Sequence, residues 1–280
     1  MKTRVSIGLL ALVAVGLSAA APAWSPDAGR LEWQHRGVGL DRAIVDVAGG
    51  GEGWRTRVVA VRIDPAQFHF RLRGRLRGVE PAWSVDRAPE AAALAFNVGQ
   101  FNGITPWGWV VMEGEEIRPP GRGPLSVAIA WDKNGSVQWL SPEEIDRQRN
   151  SSAIVQAFQS YPMLIDARGD IPRQIREPGL GVDVEHRDAR LAFGALGDGK
   201  LVVAITRFNG LGPISPALPL GLNLSEMAGV MRGLGCVRAV SLDGGVSAQL
   251  MTKENGLRRF WHGWRSVPLG LVAEPMQPAN

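Results

Sequence analysis

An α+β fold, with a mixed β-sheet core and a few packed helices, is what this sequence predicts, and three observations predict it. Short segments that alternate apolar and polar residues recur from residue 57 onward, the signature of half-buried strands. Two segments carry helix-start chemistry instead, one after Ser141-Pro142 and one at Asn223. The two kinds are interspersed without regular βαβ alternation, which argues against a doubly wound parallel sheet.

The chain of 280 residues divides by pattern into a leader (1–23), a β-rich region (24–90), a main domain (91–273) and a polar tail (274–280). Lys2 and Arg4 precede a charge-free run from Val5 to Ala23, with A-x-A-like sites at Ala19-Ala20-Ala21 and Ala21-Pro22-Ala23. This predicts a secretory signal peptide, a periplasmic or secreted protein, and no stable membrane span after cleavage. At 45% hydrophobic and 21% charged residues, the composition excludes a disordered chain. The net charge of +4 falls to +2 without Lys2 and Arg4, too mild an excess to indicate a nucleic-acid partner. Lysine occurs only at 2, 133, 200 and 253, so the cations are mostly guanidiniums, whose forked donors suit phosphate and carboxylate. Cys236 is the sole cysteine; it excludes an intramolecular disulfide, and its neighbours Leu234 and Val237 predict a buried thiol.

Taken in order, Gly49 to Gly53 reads as a turn, and residues 57–63 and 67–73 alternate around Asp64-Pro65 as a hairpin would. Arg71, Arg73, Arg75 and Arg77 share one face with His69, either a charged, solvated edge strand or a polyanion groove. The alanine-rich stretch from Pro89 to Phe96 predicts a helix ending near Asn97. Strands follow at 109–113 and 125–131, then a charged helix at 143–149. Gly197-Asp198-Gly199 joins two strands, 190–196 and 200–206, as a hairpin. Asn223 caps a helix with Glu226 three residues on, Met227, Val230, Met231 and Leu234 share one face, and Gly235 ends it. A strand from Val237 to Leu242 leads into Asp243-Gly244-Gly245, and a last strand spans Val267 to Val272.

Asp243 concentrates the chemistry. A carboxylate at the end of an apolar strand, followed by glycines that permit close approach, suits a ligand site; an Asp-Gly turn ending the strand suits the same residues. The surrounding block from Asn223 to Leu250 resembles the phosphodiester glycosidase family. Leu242, Asp243, Gly244, Gly245 and Ser247 match its Leu-Asp-Gly-Gly-Gly-Ser motif, with Val246 at the third glycine. Further matches follow the family's order: Asn97, Gly99 and Phe101; Gln159, Pro162 and Leu164; Arg190, Ala192 and Gly194; Arg265, Val267 and Pro268. The likeness runs from about residue 91 to 273 and departs at Gln100, Leu191 and Val246.

The resemblance implies an exported hydrolase that splits the anomeric bond of a sugar 1-phosphodiester in a glycan or envelope polymer, in a family often linked with exopolysaccharide biosynthesis. Such a reaction needs a carboxylate against an oxocarbenium-like transition state and guanidiniums for phosphate oxygens; the leaving phosphate is already acidic. Asp243 is the candidate carboxylate, and Arg190 and Arg265 are the candidate phosphate ligands. Asn97 and Gln159 would orient sugar hydroxyls or water, Ser247 would donate to phosphate, and Gly244 and Gly245 would let the ligand approach. The second carboxylate is open among Asp166, Asp183, Glu185 and Asp188. His186 is either an acid-base group or an exposed loop residue. His262 with Trp261 and Trp264 forms either a sugar-stacking platform or part of the core. The histidines at 35, 69, 186 and 262 lack zinc spacing, so neither a cofactor nor a His/Cys metal site is expected, with oxygen-ligated Ca²⁺ or Mg²⁺ left open. The alternative is a non-catalytic carbohydrate-binding or exopolysaccharide-assembly protein on the same scaffold, to which the departures, Val246 above all, give weight.

Overall fold

Strand follows strand along the computed structural model, which describes residues 31–47, 55–74, 82–210 and 220–276. The expected signal peptide, the glycine cluster at 49–53, Arg75 and Arg77, and the end of the tail lie outside those residues. The strands are β1 (Gln34–Gly37), β2 (Leu40–Asp46), β3 (Thr56–Ile63), β4 (Phe68–Gly74), β5 (Leu94–Asn97), β6 (Phe101–Asn102), β7 (Thr105–Pro106), β8 (Val110–Met112), β9 (Glu115–Arg118) and β10 (Val127–Asp132). They continue with β11 (Val137–Leu140), β12 (Ile154–Ser160), β13 (Met163–Ile165), β14 (Leu191–Leu196), β15 (Leu201–Phe208), β16 (Cys236–Leu242), β17 (Leu250–Glu254), β18 (Leu257–Trp261) and β19 (Leu269–Pro275). The helices are α1 (Pro142–Gln148), α2 (Arg173–Arg176) and α3 (Leu224–Gly233). The α+β class holds only coarsely, because sheet dominates.

The expected mixed sheet is also corrected. Three principal sheets form, in the orders β1-β2-β3-β15-β14-β16-β13, β11-β10-β12-β8-β9 and β18-β17-β5-β19-β4. Every strand pairing among the described residues is antiparallel. Antiparallel neighbours can be joined by a tight hairpin, as β14 and β15 are here.

The central strands of the seven-stranded sheet are covered on both faces. Val59, Val61, Ile205, Leu191, Phe193, Val240 and Leu242 point into the core shared with the other sheets. Their neighbours Val58, Ala60, Ala204, Ala192 and Ala239 point the other way, against Met227, Val230, Met231 and Leu234 of α3. The capping box expected at Asn223 and Glu226 is present, with both reciprocal hydrogen bonds formed. Gly235 follows the helix with φ +88°, a conformation that favours glycine. Cys236 is buried, and burial pushes its thiol up to about 12.

Two local expectations fail. Residues 57–63 and 67–73 do form strands, but not a hairpin. β3 pairs with β2 and β15, whereas β4 pairs with β19, and the turn capped by Asp64 carries the chain from one sheet to another. The predicted helix at 89–96 is a turn followed by β5, which sits between β17 and β19 and hydrogen-bonds to both. Ala95 and Phe96 are fully buried, so tertiary packing overrides the helical preference of the alanines. β4 itself is an edge strand, with Phe68, Phe70 and Leu72 buried and His69 and Arg71 exposed, as the charged-edge reading requires.

Candidate active site

The end of β16 lies beside the start of β14, and their register builds the site. Leu242 pairs with Leu191, so Asp243, Gly244 and Gly245 run on alongside Arg190, Ala189 and Asp188. The backbone N–H of Gly245 donates to the Ala189 carbonyl at 2.7 Å. A Cβ on Gly244 would lie 2.5 Å from that carbonyl, and one on Gly245, where φ is +57°, would lie 2.5 Å from Asp188 Oδ2. The two glycines therefore admit the chain's own Asp188-Ala189 segment, and they line the cavities as well. Val246 has no positive φ, so its backbone makes no demand for glycine there.

Asp243 projects where two cavities meet. One, of about 560 Å³, is lined by Trp107, Arg122, Tyr161, Asp183, Arg190 and Ser241 among others; the second, of about 440 Å³, is lined by His186, Arg187, Val246, Ser247 and Arg265. Asp188, Asp243 and Gly244 belong to both. Arg265 Nη2 stands 3.7 Å from Asp243 Oδ2, an ion-pair contact too long for a hydrogen bond, and that oxygen has no hydrogen-bond partner. Arg265 Nε donates to Ser247 Oγ at 2.9 Å. Burial raises the Asp243 pKa above the usual aspartate value and the nearby Asp188 charge adds to the rise, while Ser247 and Arg265 hold it partly down. Burial likewise raises Asp188, against a hydrogen bond from the Ala189 N–H and the charges of Arg190 and His186. The Asp188 charge makes Asp243 the harder of the two to ionise, an arrangement suited to acid-base work.

Of the four acids that the sequence leaves open, Asp188 is the one that lines both cavities with Asp243. Asp166 instead ties its own turn, accepting from the N–H groups of Arg168 and Asp170. Asp183 lines the larger cavity and accepts from the His186 N–H, and Glu185 is exposed and lines neither cavity. His186 is exposed, its Nε2 3.7 Å from Asp188 Oδ2, at the rim of the smaller cavity.

Two expected contacts, those of Asn97 and Gln159, are corrected by burial. Asn97 is fully buried; its Nδ2 donates to the Asp243 carbonyl at 2.8 Å and its Oδ1 accepts from Gln249 N at 2.9 Å, so it clamps the backbone behind the carboxylate. Gln159 is buried too: its Oε1 accepts from the N–H groups of Trp109 and Gly121, and its Nε2 donates to the Gly121 carbonyl. It holds the 120–123 loop. Arg190 reaches the larger cavity, yet its Nε donates to the Leu222 carbonyl at 2.8 Å and its Nη2 to the His186 carbonyl. Burial lowers its pKa, with Asp188 opposing, and most of its fork is spent on backbone.

Ser247 is buried but keeps its place against Arg265. His262 stacks on Phe260 with centroids 5.2 Å apart and faces Asp86 at 3.5 Å, and neither it, Trp261 nor Trp264 lines the two cavities. The aromatic wall is Trp107 with Tyr161, which the sequence reading passed over because tryptophan in a β-rich chain reads as core. Among the described residues no group of three or more His, Cys, Asp or Glu is placed to hold a metal ion. No helix among them is long and apolar enough to cross a membrane.

Comparison with known proteins speaks to the fold and the family. The catalytic domain of zebrafish N-acetylglucosamine-1-phosphodiester alpha-N-acetylglucosaminidase, auto-inhibited by pro-peptide, superposes with a TM-score of 0.61 at 18% identity, over 91% of this chain and 87% of that one. A hypothetical protein from Synechocystis superposes at 0.58 with 16% identity, over 89% of this chain and 64% of its own length. At such identities the likeness is one of fold. No curated protein matches the sequence. The family model for phosphodiester glycosidase matches residues 90–274, more than half of the chain, and the chain belongs to that family.

Proposed function

We propose that this protein is an exported hydrolase, periplasmic or secreted, that cleaves the anomeric bond of a sugar 1-phosphodiester in a glycan or envelope polymer. The observation that carries the reading is the Asp188–Asp243 pair, partly buried at the junction of two cavities with the half-exposed Arg265 beside it. A carboxylate with a raised pKa is a stronger base, and Asp243 is the one whose proton affinity both burial and its neighbour increase.

In the proposed step, water oxygen bonds to the anomeric carbon as the bond from that carbon to the phosphate oxygen breaks. The bonding pair leaves with phosphate, giving a free sugar and a phosphomonoester. Asp243 takes the proton from water and later passes it to solvent. Asp188 sets negative charge against the oxocarbenium, and Arg265, steadied by Ser247, binds the phosphate oxygens. Leaving-group protonation contributes little, since a phosphomonoester is a weak base.

Sugar release from a panel of sugar 1-phosphodiesters tests the proposal. Asp243→Asn is expected to lower turnover by about 10²- to 10⁴-fold with the unfolding midpoint unchanged or higher. Full turnover in that variant would remove Asp243 from the mechanism. A wild-type protein that binds a glycan and returns it uncleaved would favour the binding or assembly reading instead.

A further inference from the structure

The two cavities that meet at Asp188 and Asp243 differ in their walls. The smaller carries Arg265, Ser247 and His186 beside the carboxylate pair; Arg187 also lines it but is committed to Glu226 by two hydrogen bonds of 2.7 Å. The larger has an aromatic corner. Trp107 and Tyr161 stand with centroids 4.4 Å apart and planes tilted by 55°, so they form an angled wall and not a closed stack. They are only partly buried, whereas Trp109 and Trp131 are packed within the core.

From this contrast we infer that the larger cavity is the sugar subsite, with Trp107 and Tyr161 as the platform for the pyranose ring, and that phosphate lies in the smaller basin at Arg265 and Ser247. The inference rests on the hydrolase reading for its orientation across the carboxylate pair. A pyranose presents flat C–H faces that pack on the negative face of an aromatic ring, while its hydroxyls radiate outward to polar groups at the edge. Asp183 and Arg122 line the same cavity and supply an acceptor and a donor for those hydroxyls. A cavity of about 560 Å³ has room for a ring and its substituents.

The platform is held in place before any ligand arrives. The Trp107 N–H donates to the Gln100 carbonyl at 2.8 Å, and Gln100 Nε2 donates to the Tyr161 carbonyl at 2.9 Å, so one residue ties both aromatic positions. A Cβ on Gly121 would come 2.9 Å from the Trp107 carbonyl and one on Gly123 3.0 Å from the Trp107 ring, so the two glycines let the loop lie close against it. Gln159 fixes Gly121 through both its N–H and its carbonyl. Gln159 and Gln100 are therefore positioning residues for the sugar wall, and a platform already ordered loses little entropy on binding.

Ligand-observed NMR titration tests this without requiring turnover, using free N-acetylglucosamine, glucose, galactose and mannose as sugar probes and inorganic phosphate as the anion probe. At least one sugar should bind. Trp107→Ala should weaken it by about tenfold or more and leave phosphate unchanged, whereas Arg265→Gln should weaken phosphate and spare the sugar. Trp107→Phe, which keeps an aromatic face, should retain sugar binding. If Trp107→Ala does not fold by circular dichroism, Trp107→Leu carries the same test. Sugar binding indifferent to a folded Trp107 variant, phosphate binding weakened equally by it, or no binding of any of the four sugars would overturn the assignment. Sugar release with a KM indifferent to Trp107 would remove the subsite and leave the hydrolase. Trp107-dependent binding without any turnover would do the reverse.

Discussion

Two acids of this protein are buried at strand ends, and their surroundings have little in common. Glu254 closes β17 with its side chain only 3% exposed, Arg42 Nη1 at 3.1 Å, Arg259 Nε at 3.2 Å and Arg36 Nε at 3.7 Å. Thr252 Oγ1 donates to it as well. Asp243 follows β16, keeps 19% exposure, and has one guanidinium near it, Arg265 at 3.7 Å, which is itself half exposed. The first acid is closed off among three guanidiniums. The second is desolvated but under-compensated, and it faces cavities. Burial alone does not distinguish a structural acid from a chemical one; the number of charges that answer it, and the access left over, do.

The largest expected effects break this comparison most directly. Glu254→Gln leaves Arg42, whose pKa burial already lowers, without its carboxylate, and should cost about 3–5 kcal/mol in denaturant unfolding. Sugar release per folded molecule should stay unchanged. Asp243→Asn should give the opposite pattern, lost turnover with intact stability. If Glu254→Gln removed turnover and spared stability, the two acids would have to exchange roles.

Why Asp243 could be read from the sequence and its partner could not is a matter of range. Asp243 is marked locally, by an apolar strand before it and glycines after it, and the family motif names it. Asp188 becomes its neighbour only through the pairing of Leu191 with Leu242, a long-range register that one of four nearby acids could have exploited. Most strands and the α3 cap were legible because alternation and capping are local patterns. The pairing partners of β3 and β4 were not, since Asp64-Pro65 turns the chain equally well into a hairpin or between sheets. Alanines from 91 to 95 gave a helical preference that two flanking strands override. Asn97 and Gln159 look like ligand-contacting amides in a motif; their burial, visible only in three dimensions, makes them backbone clamps.

Asn97→Ala sharpens the comparison from behind. Its amide serves both the Asp243 carbonyl and the Gln249 N–H, all within a buried region, so its loss orphans those groups at roughly 1–3 kcal/mol each. The same change loosens the backbone that aims Asp243, and turnover should fall along with the unfolding midpoint. A variant with reduced stability but wild-type turnover at a temperature where it is folded would show that the clamp does not aim the carboxylate.

The smallest effect expected is in pH dependence, and it separates Asp243 from acids of the opposite kind. Burial raises Asp243 and Asp188 above their unfolded pKa values, so the stability they contribute is fully present below the ordinary aspartate value and is lost as pH rises through the folded values. Asp41 runs the other way: its pKa is lowered despite burial, chiefly by Arg62, so its contribution is present above the unfolded value and lost as pH falls. Subtracting the stability curve of Asp243→Asn from that of the wild type isolates one member of the first group, and the difference should fall with rising pH above the ordinary aspartate value. Turnover should respond with the opposite slope, because Asp243 must be ionised to take the proton from water: activity rises through the same raised pKa. Asp188→Asn removes the like charge that helps raise that pKa, so any residual activity should have its acid limb at lower pH. An acid limb that stays where it is in Asp188→Asn would mean that the two carboxylates do not sense each other, and Asp243 would then be raised by desolvation alone.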